Sequence, residues 1–103
     1  MHLQRDIMRL PKHIKIELLN AANSAFDNAR LLLFGSRIDD TKKGGDFDIA
    51  VSCDMDREAF KKAKVQFFKY LLLKDLDIPV DLVHYQSAGT LLKREIDKGQ
   101  MIA

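Results

Sequence analysis

Apolar and polar positions along this chain repeat with two periods, and the changes between them mark its elements. Pro11 suits the first turn of a helix, where a missing N–H would be unpaired anyway. Ile14, Leu18, Ala21 and Ala25 then recur at helical spacing, with Leu19, Ala22 and Phe26 widening the stripe. The pattern fades between Phe26 and Asn28. From Ala29 to Phe34 the residues are almost all apolar, as in a strand covered on both faces. Gly35 to Gly45 is polar and closes on Gly44-Gly45, so at least its second half is loop. Asp46 to Ser52 alternates: Phe47, Ile49 and Val51 face one way, and Asp46, Asp48 and Ala50 the other.

Asp54 or Asp56 is placed to cap the next helix, which runs to about Lys74. Phe60, Ala63, Phe67 and Leu71 form its core stripe, with Val65, Phe68 and Leu72 beside it. Phe67, Phe68, Tyr70, Leu71, Leu72 and Leu73 are more apolar than one buried face requires, so part of this helix is expected to meet a partner. Pro79 opens a third strand, a position where proline is tolerated. In it Val80, Leu82 and His84 oppose Asp81, Val83 and Tyr85. Ser87 is placed to cap a last helix through Leu91, Leu92 and Ile96, which Gly99 ends. The order helix, strand, strand, helix, strand, helix predicts an α/β (α+β) fold: a short mixed sheet with helices packed on it. Residues 1–103 read as one domain, with no repeat, low-complexity segment or linker.

Bulk properties narrow the picture in three ways. A net charge of +2 is too weak for a dedicated DNA-binding protein, and no direct DNA binding is expected. The single cysteine, Cys53, allows no internal disulfide and fits a reducing, cytoplasmic setting. No apolar run is long enough to span a bilayer, and Met1 to Asp6 lacks the apolar core of a signal peptide. His2 and His13 have no zinc-type spacing with a cysteine. His84 reads as a packed residue at a strand end, and Cys53 as a plain thiol.

The chemistry concentrates in the second strand. Asp46 and Asp48 sit at i and i+2, on one face and roughly 7 Å apart along the strand. Strands are depleted in Asp, and like charges placed this way repel. A divalent metal is the economical compensation. Upstream, the apolar strand ends in Gly35-Ser36, a pair of the kind whose backbone N–H groups hold phosphate oxygens. Nine residues separate Ser36 from Asp46. Asp81 is a third acid between apolar neighbours, in Pro79-Val80-Asp81-Leu82-Val83. If its strand lies beside the Asp46/Asp48 strand, all three acids reach one face, an arrangement suited to two divalent ions bridged by a phosphate. Gly35 to Gly45 lacks the closing Gly-Lys-Ser/Thr of a Walker loop.

Leu33-Phe34-Gly35-Ser36, then Asp46-Phe47-Asp48, then Asp81 resembles the signature of the DNA polymerase β-type nucleotidyltransferase superfamily. Within it the chain is similar to the minimal nucleotidyltransferases, the antitoxin halves of two-gene modules with HEPN-domain toxins. The likeness covers roughly residues 10–100, with its motif core at about 29–85. It implies that Gly35 and Ser36 hold the terminal phosphates of ATP, assisted by Arg37. It implies that Asp46 and Asp48 bind Mg2+ in a two-ion site, and that Asp81 completes the site and helps deprotonate an acceptor hydroxyl. AMP would pass to that hydroxyl, a tyrosine of the HEPN toxin encoded nearby, with pyrophosphate leaving. One departure stands out. Many relatives carry a second Arg two residues after the first, followed by Gly, where this chain has Arg37-Ile38-Asp39-Asp40. The acidic pair is expected to weaken nucleotide binding unless Lys42 and Lys43 fold back. Two other readings stay open: a module that neutralises its partner by binding alone, and nucleotidyl transfer to a small molecule. So do the oligomeric state, homo-oligomer included, and the nucleotide preference.

Overall fold

The computed structural model describes residues 10–35 and 46–102. Helix α1 spans Lys12–Ala25, strand β1 Arg30–Phe34, strand β2 Phe47–Ser52 and helix α2 Arg57–Leu73. Strand β3 spans Val80–His84, followed by a 3-10 turn at Tyr85–Ser87, helix α3 at Thr90–Asp97 and strand β4 at Gln100–Met101. The strands form one mixed sheet in the order β3-β2-β1-β4. β1 runs antiparallel to β2 and to β4, whereas β2 and β3 are parallel and joined through α2.

Alternation in the strands divides the interior into two layers. Leu31 and Leu33 of β1, Phe47, Ile49 and Val51 of β2 and Leu82 of β3 face α1 and α2. Those helices contribute Leu18, Ala21, Ala22, Phe60, Phe67 and Leu71. The small side chains of Ala21 and Ala22 let α1 come close, and Phe26 just past its end stacks on Phe60 at 5.5 Å between centroids. The Tyr70 hydroxyl donates to Glu17 Oε1 at 3.3 Å, joining the two helices near the surface. On the other face, Phe34, Ala50 and Ile96 of α3 make a smaller layer, bordered by Leu32, Val83, Tyr85 and Ala88. β1 is therefore covered on both sides, as its apolar run requires.

Local chemistry sets the boundaries. Pro11 is the residue before α1 rather than its first turn, and the helix stops at Ala25. Asn28, at φ +50°, turns the chain into β1. Asp56, not Asp54, caps α2, its carboxylate accepting the Ala59 N–H at 2.8 Å. The far end of α2 closes with the Leu76 N–H on the Leu71 carbonyl and the Asp75 N–H on the Leu72 carbonyl. This Schellman pattern puts Asp75 in the left-handed region, at φ +57°.

Three expectations need correcting. Ser87 does not cap the last helix: Gly89 holds that position, and the Ser87 hydroxyl lies 2.7 Å from His84 Nδ1. His84 is buried and stacks on Phe60, its position set by that pair of contacts. Val65 and Leu72 are not core neighbours but are 68% and 77% exposed, with Leu73 at 74%. The surplus apolar character of α2 is thus presented to solvent between lysines. β4 is an addition to the expected order. Among the described residues no helix is long and apolar enough to cross a membrane.

Candidate functional site

The register of the sheet assembles the carboxylates. Asp48 of β2 pairs with Asp81 of β3 in the parallel ladder and with Phe34 of β1 in the antiparallel one. Residues paired across neighbouring strands project to the same face. Asp48 and Asp81 therefore stand side by side on the α3 face, one row beyond Leu32, Ala50 and Val83. Asp46 lies two residues before Asp48, just outside β2, and is exposed, as is Asp81. The row beneath is apolar and covered by Ile96, so the acids occupy the open end of that face.

Gly35 connects this pair to the end of β1. Its φ is +81°, a conformation glycine adopts at no steric cost. A Cβ added there would run into the Asp48 carboxylate, with Asp48 Cγ at 3.0 Å. The Gly35 backbone is therefore in direct approach to Asp48. Sequence spacing brings Gly35 and Asp48 into one motif, but only the backbone shows that the missing side chain is what lets them meet. Ser36, Arg37, Asp39, Asp40, Lys42 and Lys43 lie outside the described residues.

Two carboxylates in neighbouring positions, one of them held against the Gly35 backbone, fit a divalent ion that also carries phosphate. Among the described residues no three His, Cys, Asp or Glu side chains form a group able to hold a metal ion. Mg2+ commonly takes only one or two carboxylates and completes its octahedron with water and substrate phosphates. The donor set present thus suits Mg2+ held jointly with a nucleotide.

The opposite end of the same face is built differently. A cleft of about 200 Å³ lies among Arg30, Leu32, Ser52, Tyr85, Asp97 and Met101. The Tyr85 hydroxyl donates to Asp97 Oδ1 at 3.1 Å, and this bond, with some burial, raises the Tyr85 pKa above its ordinary value. The Gln86 side chain bridges two groups there, accepting the Cys53 N–H at 3.1 Å and donating to Ser52 Oγ at 2.9 Å. Cys53 is buried, and desolvation followed by the charge of Asp54 pushes its thiol pKa up, away from reactivity.

Known proteins match the chain and its fold. The model of the family described as Polymerase beta, Nucleotidyltransferase matches residues 16–103. No curated protein matches the chain. Among solved structures, a toxin–antitoxin with AMP-PNP superposes with a TM-score of 0.64 at 26% identity, over 86% of this chain and 72% of that one. A mutant of the toxin–antitoxin MntA-HpeT gives a TM-score of 0.62 at 22% identity, over 86% and 71%. A tri-AMPylated Shewanella oneidensis HEPN toxin in complex with MNT antitoxin gives 0.58 at 24% identity, over 86% and 68%. The last two likenesses concern the fold. With the family model spanning all but the first helix turn of the described fold, the chain belongs to the polymerase beta nucleotidyltransferase family.

Proposed function

We propose that this chain, read as a single nucleotidyltransferase domain over residues 1–103, is an antitoxin that transfers AMP from ATP to a hydroxyl of a HEPN-type toxin, a tyrosine in the first instance. The observation that carries the reading is the pairing of Asp48 with Asp81 beside the Gly35 backbone. Family membership and the toxin–antitoxin likeness, one with AMP-PNP, support it. The setting is cytoplasmic, where ATP and such a toxin would both be met.

In this reading Asp46, Asp48 and Asp81 hold Mg2+, and Gly35, Ser36 and Arg37 hold the phosphates. Bound Mg2+ would neutralise the charge gathered on the phosphates and carboxylates. The missing side chain at Gly35 leaves room for the Asp48 carboxylate at the end of β1, next to where the phosphates would be held. Asp81, at the exposed side of the pair, takes the proton of the acceptor hydroxyl. The acceptor oxygen bonds to the α-phosphorus, the bond from that phosphorus to the bridging oxygen breaks, and pyrophosphate leaves with the electron pair. The AMP adduct adds charge and bulk that would obstruct an RNA-binding surface on the toxin.

The test is an intact-mass spectrum of the neighbouring gene's HEPN product after incubation with this chain, ATP and Mg2+, with an Asp46→Ala/Asp48→Ala protein in parallel. A gain of whole AMP units that the variant fails to produce is expected. An unshifted toxin that is still neutralised by both proteins would establish instead that the chain acts by binding alone, the reading the Asp39-Asp40 departure keeps open.

A further inference from the structure

The free edge of β3 runs directly beside Asp81. Because β3 ends the sheet order, its outer side has no strand partner among the described residues. The direction of its backbone groups follows from one hydrogen bond, the Phe47 N–H on the Pro79 carbonyl at 2.8 Å. With Phe47 paired to Val80, a parallel ladder makes Phe47, Ile49 and Val51 bond to residues 79, 81, 83 and 85 of the β3 segment. The N–H and C=O of Val80 and Leu82, and the N–H of His84, then point outward. Asp81 and Val83 spend their backbone groups on β2 and aim their side chains at the carboxylate face.

We propose that the β3 edge is the acceptor-docking site: an extended segment of the partner protein adds to it as an antiparallel fifth strand and presents its hydroxyl residue opposite Asp81. The inference rests on the transferase reading above and names how that site receives its substrate. Main-chain bonds to Leu82 fix the register, as in other cases of strand addition. Asp81 and the residue facing it then form a non-hydrogen-bonded pair, with Cα atoms about 4.5 Å apart and side chains on one face. A hydroxyl carried there meets the carboxylate proposed to take its proton. The same register assigns the neighbours. The residue two positions before the hydroxyl faces half-buried Val83 and should be apolar. The residue after the hydroxyl faces Val80, also half-buried, on the helix side. Such a segment contains no proline at its bonding positions.

Backbone amide exchange followed residue by residue by NMR tests this on the wild-type chain, free and with the neighbouring gene's HEPN protein, alongside the mass measurement. The Leu82 amide, with that of Val80, is expected to slow by about tenfold or more in the complex, whereas Asp81 and Val83, already bonded to β2, change little. A toxin that gains AMP while Leu82 exchange stays within about twofold of the free protein overturns the docking site and leaves the transferase reading standing. Protection of Leu82 without any AMP gain would show strand addition at this edge but overturn its role as an acceptor site, together with the transferase reading. A toxin that produces neither effect overturns both.

Discussion

Replacing Gly35 with alanine tests whether the approach of backbone to Asp48 is the structural basis of the site. At φ +81° an L-residue meets a steric cost of roughly 1–2 kcal/mol. The new Cβ would also overlap the Asp48 carboxylate, with Cγ at 3.0 Å and Cβ at 3.1 Å, well inside ordinary carbon contact. Relief requires Asp48 to leave its rotamer, at about 0.5–1.5 kcal/mol, or the end of β1 to move away from β2. Together these give about 2–3 kcal/mol, which is roughly 10–20 °C in melting temperature for a domain of this size. Either relaxation turns the carboxylate away from its pairing with Asp81, so Mg2+-dependent nucleotide binding should fall with stability. Gly89 supplies the control, since nothing lies within 4 Å of a Cβ there and it starts α3 in extended backbone. Gly89→Ser adds a capping hydroxyl and should raise stability by a few tenths of a kcal/mol, about 0.5 at most from the cap alone. Thermal melts and calorimetric titration with ATP and Mg2+ measure both quantities. A Gly35→Ala protein that melts within about 2 °C of wild type and binds nucleotide equally well would refute the reasoning.

Three other perturbations have defined outcomes. Asp75→Gly relieves a left-handed aspartate at the end of α2 and should raise stability by about 0.5–1 kcal/mol, seen as a melting temperature higher by about 2–8 °C. For Cys53 the folded state holds the thiol pKa above its ordinary value of 9.0. The stabilisation is then complete below that value and is lost as pH rises through the folded one, because the unfolded chain ionises first. Melting temperature should accordingly fall more steeply above about pH 9 in wild type than in Cys53→Ala; parallel slopes would count against the burial account. Removing divalent metal with EDTA should abolish ATP binding by calorimetry, since carboxylates without a cation repel a triphosphate. Equal affinity with and without EDTA would exclude the metal-bridged reading.

Much of the fold is written in short-range patterns. The alternation of Phe47, Ile49 and Val51 against Asp48 and Ala50 is strict because each face has one environment. The stripe Phe60, Phe67 and Leu71 is plain for the same reason. β4 is not legible, because two residues carry no period and gain their place only by pairing with Leu32 and Leu33. Ser87 shows how one local signal loses to another: its hydroxyl is taken by a side chain three positions back, His84, and Gly89 precedes α3 instead. In α2, Leu72 lies about 140° round the helix from buried Phe67, and only the packing of α1 and the sheet shows that the covered arc stops short of it. At the site, the acid-rich strands identify Asp48 and Asp81, but their neighbourhood depends on a parallel register that no local pattern encodes. Gly35 reads as a phosphate-loop glycine, yet its contact with Asp48 follows from backbone geometry alone.

The last strand has a consequence for how the molecule comes into being. The Ile102 N–H bonds the Leu31 carbonyl at 2.8 Å, and Ile102 is buried in the main core. A Cβ on Gly99 would clash with the Leu33 carbonyl, so the chain returns hard against β1. One flank of Leu31-Leu32-Leu33-Phe34 is consequently closed by residues synthesised some seventy positions later. Until they leave the ribosome, the nascent chain carries an apolar strand with an open edge, the kind of surface that captures other chains. Yield in a cell therefore depends on how quickly translation finishes the segment from Gly99 to Ile102. A pause placed just before those codons should send more of the product into aggregates than the same pause placed within α2.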